Sequence, residues 1–398
     1  VTATPAPVRW PALDEEHRKA VLRVLERGVL AGPAAPERRA LEEEVAAALG
    51  VRYCLATNSG TAALHLALAA LGVGPGDEVI VPALGWVATA QAVLQQGAVP
   101  VFADVSAATG VLDPAAAARR LSPRTRAVVL VHLHGLPGEL DRFVALARQA
   151  GVALVEDAAQ AHGATFDGRW VGTWGDVGIF SLNTTKNLPA GEGGLLVTNR
   201  EDVWARAVRL RFQGLPPAAS SDPARPLDGQ GGDQAETVGW MYLPDEFTCA
   251  LARVGLARLP EVTAHARASG QRMSARLRGV PGLGPPPELP RRTHVYHKYR
   301  LGFEPAMMGE AATPARARAR LLAALRAAGV EATLWQTAPL PHHPLFGRQE
   351  AYPNSERILE RSVVLGSQTY PLFAQPAEVV DAWADAVVRV WRALAGGR

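Results

Sequence analysis

Apolar residues fall into two alternating patterns along this chain. Short runs that are apolar throughout are separated by longer stretches in which apolar side chains recur every three or four positions. The first pattern predicts buried strands and the second amphipathic helices. Two helices open the chain: Leu13–Gly28, with Val21, Leu22, Val24 and Leu25 on its apolar side, and Pro36–Gly50, stopped by glycine. The alternation then begins. Strands are predicted at Tyr53–Thr57, Glu78–Pro82, Val99–Asp104, Ala127–His132 and Ala153–Asp157. Helices between them are predicted at Thr61–Leu71, Trp86–Gln96, Asp113–Leu121 and Glu139–Ala150. Val177–Leu182 and Leu195–Thr198 read as two further strands. Short apolar strands spaced by helices imply an α/β fold with a mostly parallel sheet covered on both faces. Such sheets bind ligands at the carboxyl ends of their strands. Polar residues gather there: Asn58-Ser59-Gly60-Thr61, His132, Asp157, Gln160 and Ser181.

The pattern changes after Gly214. From there to Glu236, Pro, Ser, Asp, Gly and Gln dominate, which predicts a long loop ahead of the aromatic segment Gly239-Trp-Met-Tyr242. A lid, an interface or a passive linker all fit that composition. Helix resumes beyond Phe247 through Leu259. A Pro/Gly-rich break at Pro281–Pro290 leads to a strand over Tyr296–Phe303, then a helix at Pro314–Ala328. A Pro/His-rich loop at Pro339–Phe346 and a last helix at Pro376–Ala395 follow. The expected organisation is an N-terminal arm and helix over 1–28, a large α/β domain over 29–260, and a smaller α+β domain over 261–398.

Composition narrows the class. A formal net charge of +3, without a basic stripe interleaved with aromatics, argues against nucleic acid. No apolar run reaches the ~20 residues of a membrane span. The first residues lack the basic-then-apolar layout of a signal peptide. Cys54 and Cys249 are far apart in apolar surroundings, as expected of core thiols in a reduced cytoplasmic protein. No His/Cys/Asp/Glu set has metal-ligand spacing, so no metal is expected.

The candidate chemistry starts from lysine. The chain has only three, Lys19, Lys186 and Lys298, against a large excess of arginine. Lys186 sits between the strand ending Phe180-Ser181 and the turn Gly191-Glu-Gly-Gly194. A lysine at such a junction suggests that an amine is needed, because arginine can neither shed its proton nor form an imine. Asn58-Ser-Gly-Thr61 joins a strand to a helix, where free N–H groups and the helix dipole suit a phosphate; a plain N-cap is the ordinary alternative. Asp157 ends a buried strand, where a carboxylate needs a partner: an N-cap, or a protonated ring nitrogen. Trp86 is either core or a plate that stacks on a ring. His132, His134 and His162 fall on strand-end loops, where hydrogen bonding in or near a pocket is expected. An amine, a carboxylate, hydroxyl phosphate sites and an aromatic plate are together what pyridoxal 5'-phosphate (PLP) requires.

These segments resemble the fold-type I aminotransferases of the DegT/StrS sugar aminotransferase family. Asn58-Ser-Gly-Thr-Ala-Ala-Leu64 resembles its phosphate cup, and Gly76–Pro82 with Trp86–Ala90 the segment of its stacking aromatic. Glu156-Asp157-Ala-Ala-Gln160-Ala-His162-Gly163 resembles its ring-nitrogen motif, and Phe180–Gly194 its Schiff-base segment. The resemblance implies Lys186 as the imine lysine and acid–base, Asp157 on the ring nitrogen and Trp86 on the ring face. It also implies Gly60, Thr61 and Ser181 at the phosphate, with Gln160 near the ring hydroxyl. Family dehydratases carry histidine in place of the lysine, so Lys186 favours amino transfer. Trp86, the long loop and Leu340-Pro-His-His-Pro-Leu-Phe346 resemble the scyllo-inosose (cyclitol) aminotransferases of aminoglycoside assembly. That implies ping-pong transfer, between PLP and pyridoxamine forms, from glutamate or glutamine to a keto-sugar or keto-cyclitol. His132, His162, Tyr242 and His342 are the residues then expected at the substrate. The resemblance further implies a homodimer with shared active sites, completed through Gly239–Leu243. There the family's aromatic-Asn-aromatic-Arg pattern reads Trp240-Met241-Tyr242-Leu243, and Met241 cannot donate a hydrogen bond. Elimination or aromatisation, as in aminohydroxybenzoate synthases, is the alternative reaction; a non-catalytic sensor is the third reading.

Overall fold

The structure is a computed structural model that describes residues 5–32, 35–215, 234–309 and 313–396. Most of the loop expected over Gly214–Glu236 lies outside the described residues. The large sheet has seven strands: β1 (Tyr53–Thr57), β2 (Glu78–Pro82), β3 (Val99–Ala103), β4 (Thr125–Val131), β5 (Ala153–Asp157), β6 (Val177–Ser181) and β7 (Gly194–Thr198). Their order across the sheet is β1-β7-β6-β5-β4-β2-β3. Only β7 runs against its neighbours. The carboxyl ends of the other six therefore share one edge, and β7 begins there, with Gly194 paired to both Thr57 and Ser181.

Helices cover the sheet: α1 (Glu15–Arg27), α2 (Pro36–Leu49), α3 (Gly60–Ala70), α4 (Ala88–Gln95), α5 (Pro114–Ala118), α6 (Leu140–Ala150) and α7 (Glu201–Arg211). α3 is apolar all round and almost wholly buried, as a helix enclosed on every side must be. Its start is thereby held against the sheet edge.

α8 (Glu246–Leu277) differs from expectation. Its pattern predicts a stop before Pro260, yet the helix continues for 32 residues. Proline removes one hydrogen bond and crowds the preceding turn. Buried Leu259 and Ala266 on either side supply the packing that offsets this. The first half of α8 packs Ala250 on Ala20 and Val24 of α1. Its last turns carry Met273 and Leu277 into a second core, around Tyr299, Leu325, Trp383 and Trp391.

That second core belongs to a four-stranded sheet of β8 (Leu283–Gly284), β9 (Tyr299–Phe303), β10 (Ala332–Thr333) and β11 (Ser362–Leu365), in the order β8-β9-β11-β10. Helices α9 (Pro314–Ala327), α10 (Pro353–Glu360) and α11 (Ala377–Leu394) complete this half. The strand expected from Tyr296 starts only at Tyr299, because Tyr296 takes a positive φ of 48° and stacks on His294 instead. Val295, Leu340 and Ile358 pack into the first core. Among the described residues no helix is long and apolar enough to cross a membrane.

Candidate active site

A cavity of about 830 Å³ opens at the carboxyl edge of the large sheet. Its walls come from the starts of α3 and α4, the ends of β5 and β6, the Lys186 loop, the segment before β9, and the N-terminal residues Arg9–Pro11.

One end is built for an anion. Ser59 is extended and caps α3, its Oγ accepting from the Ala62 N–H at 3.0 Å. The Gly60 and Thr61 amides, ahead of that bond, have no partner within the helix. Gly60 lies so close to β6 that a Cβ there would stand 2.8 Å from the Ser181 Cβ. Backbone donors and the Ser181 hydroxyl thus converge, with the positive end of the helix dipole behind them.

The middle holds an acid and an amine. Asp157 is 7% exposed. Its Oδ2 accepts from Thr89 Oγ1 at 3.0 Å and its Oδ1 from the Ala159 N–H at 3.1 Å. Burial pushes its pKa up, against those two hydrogen bonds and the charge of Lys186. Burial likewise lowers the Lys186 amine to about 8, opposed by Asp157 and Glu192. The loop that carries Lys186 is folded tightly. Thr184 N–H donates to Gly191 O at 2.7 Å and Leu182 N–H to Gly193 O at 2.8 Å. Gly191 and Gly193 hold φ of 93° and 154°, which only glycine adopts without strain. Trp10 Nε1 donates to the Lys186 carbonyl at 3.0 Å and pins the loop from outside.

Gln160 borders the cavity, its Oε1 accepting from the His134 N–H at 2.8 Å. Trp86 stands at the rim and is 56% exposed, so its ring is available to a ligand. The fold therefore brings Gly60, Thr61, Trp86, Asp157, Gln160, Ser181 and Lys186 around one space.

The four residues expected at the substrate do not line it. His132 is wholly buried, with Nδ1 accepting from the Gly138 N–H at 3.1 Å and Nε2 facing Glu156 Oε2 at 3.0 Å. Both nitrogens are used in holding the fold. His162 is buried against Phe180, its imidazole lowered to about 3 by burial and by Lys186. Tyr242 bonds His65 Nδ1 through its hydroxyl at 2.9 Å and stacks on Trp240. His342 bonds the Glu350 carbonyl at 2.8 Å.

The unanticipated wall residues include Thr89, His297, Lys298 and Trp335. For Lys298 a signal was present, since it is one of only three lysines. The others depend on contacts between distant segments.

Glu156 underpins the site. Its carboxylate accepts from the Gly172, Trp174 and Gly175 amides at 2.6–2.7 Å, besides His132. Glu156→Ala leaves these donors buried and unpaired. A loss of about 3 kcal/mol or more is expected in urea unfolding; a loss below 1 kcal/mol would show that the network carries no such weight.

Known proteins are similar to this chain in sequence and fold. Protein MosB of Rhizobium meliloti is 32% identical over 383 residues, covering 94% of this chain and 75% of MosB. The aminotransferase TlmJ of Streptoalloteichus hindustanus superposes with a TM-score of 0.85 at 31% identity, over 97% of this chain and 99% of TlmJ. 3-Amino-5-hydroxybenzoic acid synthase superposes with a TM-score of 0.86 at 29% identity, over 98% and 100% of the two chains. Residues 11–382 also match an aminotransferase family profile. With a half-buried amine, a buried acid and a helix start around one cavity, the chain is an enzyme of the DegT/DnrJ/EryC1/StrS aminotransferase family.

Proposed function

We propose that this enzyme uses PLP to move an amine from glutamate or glutamine to the ketone of a sugar or cyclitol, in a secondary-metabolite pathway of the aminoglycoside type. The observation that carries this reading is the half-buried Lys186 amine and the buried Asp157 carboxylate in one cavity beside the open start of α3. The residues fit the cofactor. Gly60, Thr61 and Ser181 would hold its phosphate, Trp86 would cover the ring, and Gln160 would meet the ring hydroxyl. A buried carboxylate with a raised pKa is stabilised by a cation, and a protonated ring nitrogen is one. When bound, the cofactor supplies an electron sink for the donor α-carbon.

The chain's own residues do the rest. Lys186, with its pKa near 8, has about a tenth of its amine neutral at pH 7. It can attack a carbonyl, and afterwards take and return a proton at the donor α-carbon. Asp157 would hold a proton on the ring nitrogen, with Thr89 and the Ala159 amide keeping its oxygens in place. The Trp10 hydrogen bond to the Lys186 carbonyl braces the loop that carries the amine.

A homodimer belongs to this reading. Val238 and Met241 are 81% and 55% exposed beside the site, an apolar surface that a second copy would cover. Asn58 ties that segment to the phosphate end, its N–H donating to the Tyr242 carbonyl at 2.8 Å.

The likeness to 3-amino-5-hydroxybenzoic acid synthase favours a second reading, a PLP reaction without net amino transfer. A single turnover separates the two. The PLP-loaded enzyme mixed with L-glutamate or L-glutamine, without acceptor, is expected to convert its cofactor stoichiometrically to pyridoxamine phosphate. No conversion with any amino donor would overturn the aminotransferase reading and leave the second one standing.

A further inference from the structure

β9 turns Tyr299, Leu301 and Phe303 into the second core. Arg300, between them, must then face the other way, and Lys298 stands just before the strand. Lys298 borders the active-site cavity. Its backbone N–H donates to His134 O at 3.4 Å, and His134 is tied to Gln160. Across the sheet the order is β1, β7, β6, β5, β4. The phosphate end lies at β1 and β6, and His134 follows β4. Lys298 is therefore on the far side of Asp157 from the phosphate end.

Among the described residues this cation has no acidic partner. Of the residues lining the cavity only Asp157 and Glu192 are acidic. Asp157 is committed at the centre, and Glu192 accepts from Asn183 Nδ2 at 2.8 Å. His134 and His297 beside Lys298 are held neutral by burial and by neighbouring cations. Arg300, behind His134, donates to the Thr109 carbonyl at 3.2 Å and adds a second positive charge. A half-buried ammonium at a cavity wall without a counter-ion is partly desolvated at a cost, and an anionic ligand offsets that cost.

We propose that Lys298 binds the carboxylate of the amino donor and so selects amino acids over other amines in the first half-reaction. This rests on the aminotransferase reading above. The rival anion is the diphosphate of a nucleotide-linked acceptor. Lys298 sits deep enough to feel the charge of Lys186. A donor carboxylate is one bond from the carbon that reacts beside Lys186, whereas a diphosphate lies beyond a sugar ring. Arg9, the other cation at the cavity, is exposed and screened by water.

Two measurements on Lys298→Met, with Lys298→Arg as the conservative comparison, test this. In single turnovers with L-glutamate, kcat/KM should fall ~10- to 100-fold, the worth of one charge-assisted hydrogen bond. The fall should sit in KM, exceed tenfold that seen with a carboxylate-free aminocyclitol as donor, and be partly restored by arginine. Equal losses with both donors would overturn the proposal. Calorimetric titration of cofactor-free protein with glutarate should show at least tenfold weaker binding in Lys298→Met. Unchanged glutarate binding would overturn it too. Loss of affinity for a nucleoside diphosphate alone would assign the site to the acceptor. Should the wild type convert its cofactor with no donor, the aminotransferase reading fails, and the glutarate titration still decides for or against Lys298.

Discussion

Lys186→Ala is expected to lower turnover by at least about four orders of magnitude and to abolish the yellow colour of the PLP-loaded protein. The residue is asked for two things at one atom: a covalent hold on an aldehyde and proton transfer at the donor α-carbon. General acid–base catalysis alone is worth about 10²- to 10⁴-fold, and the lost anchor adds to it. Lys186→Arg should be as inactive as the alanine variant, since a guanidinium carries the charge but does not deprotonate. That comparison excludes a purely electrostatic role, which arginine would preserve. The pH dependence follows from the same amine. With its pKa near 8, the rate of PLP uptake by the cofactor-free protein should rise about tenfold per unit below that value and level off above it. A yellow, active Lys186→Ala enzyme would remove the basis for the proposed chemistry.

Asp157→Asn is expected to have opposite effects on the two forms of the protein. Without cofactor, the carboxylate is buried and its pKa is raised mainly by that burial. The folded state then binds more protons than the unfolded state between the ordinary and the raised pKa. Stability must fall as pH rises through that window, and the loss persists above it. A neutral asparagine removes this burden while keeping the size of the side chain and an acceptor for the Ala159 amide. Cofactor-free Asp157→Asn should melt a few degrees above wild type at neutral pH, where a change of 1 kcal/mol corresponds to ~2 °C in a chain of this size. With PLP bound the order should reverse, because the ring nitrogen loses its counter-charge. Breaking one side of a buried ion pair costs about 3–5 kcal/mol, so kcat should drop ~10²- to 10³-fold. Scanning calorimetry of both forms checks the reversal. A variant that melts lower in both forms would make Asp157 a structural residue.

Much of this site was legible because the sheet is. The runs Tyr53–Thr57, Glu78–Pro82 and Ala153–Asp157 are strands with the predicted bounds, since a strand covered on both faces must be apolar throughout. Once they are placed, Asp157, Ser181 and the Asn58–Thr61 turn fall on one edge. The histidines were misplaced because a strand-end position does not determine direction. His132 follows β4, but only the pairing of Leu130 with Glu156 in β5 reveals the partner that ties up its Nε2. Pro260 misled for a related reason: local propensity marks a helix stop, and packing from α1 and the second core overrides it. α10 and β11 carried too few residues to display a period of their own. Lys298 reaches the cavity from the residue just before β9, a strand that packs into the other core, a placement that only the tertiary fold supplies.

The most direct test of the central claim is borohydride reduction of the PLP-loaded protein, followed by peptide mass mapping. The expected result is one pyridoxyl group per chain, on the peptide that contains Lys186. Recovery of the label on Lys298 or Lys19 instead, or of unlabelled Lys186 from yellow protein, would contradict the assignment.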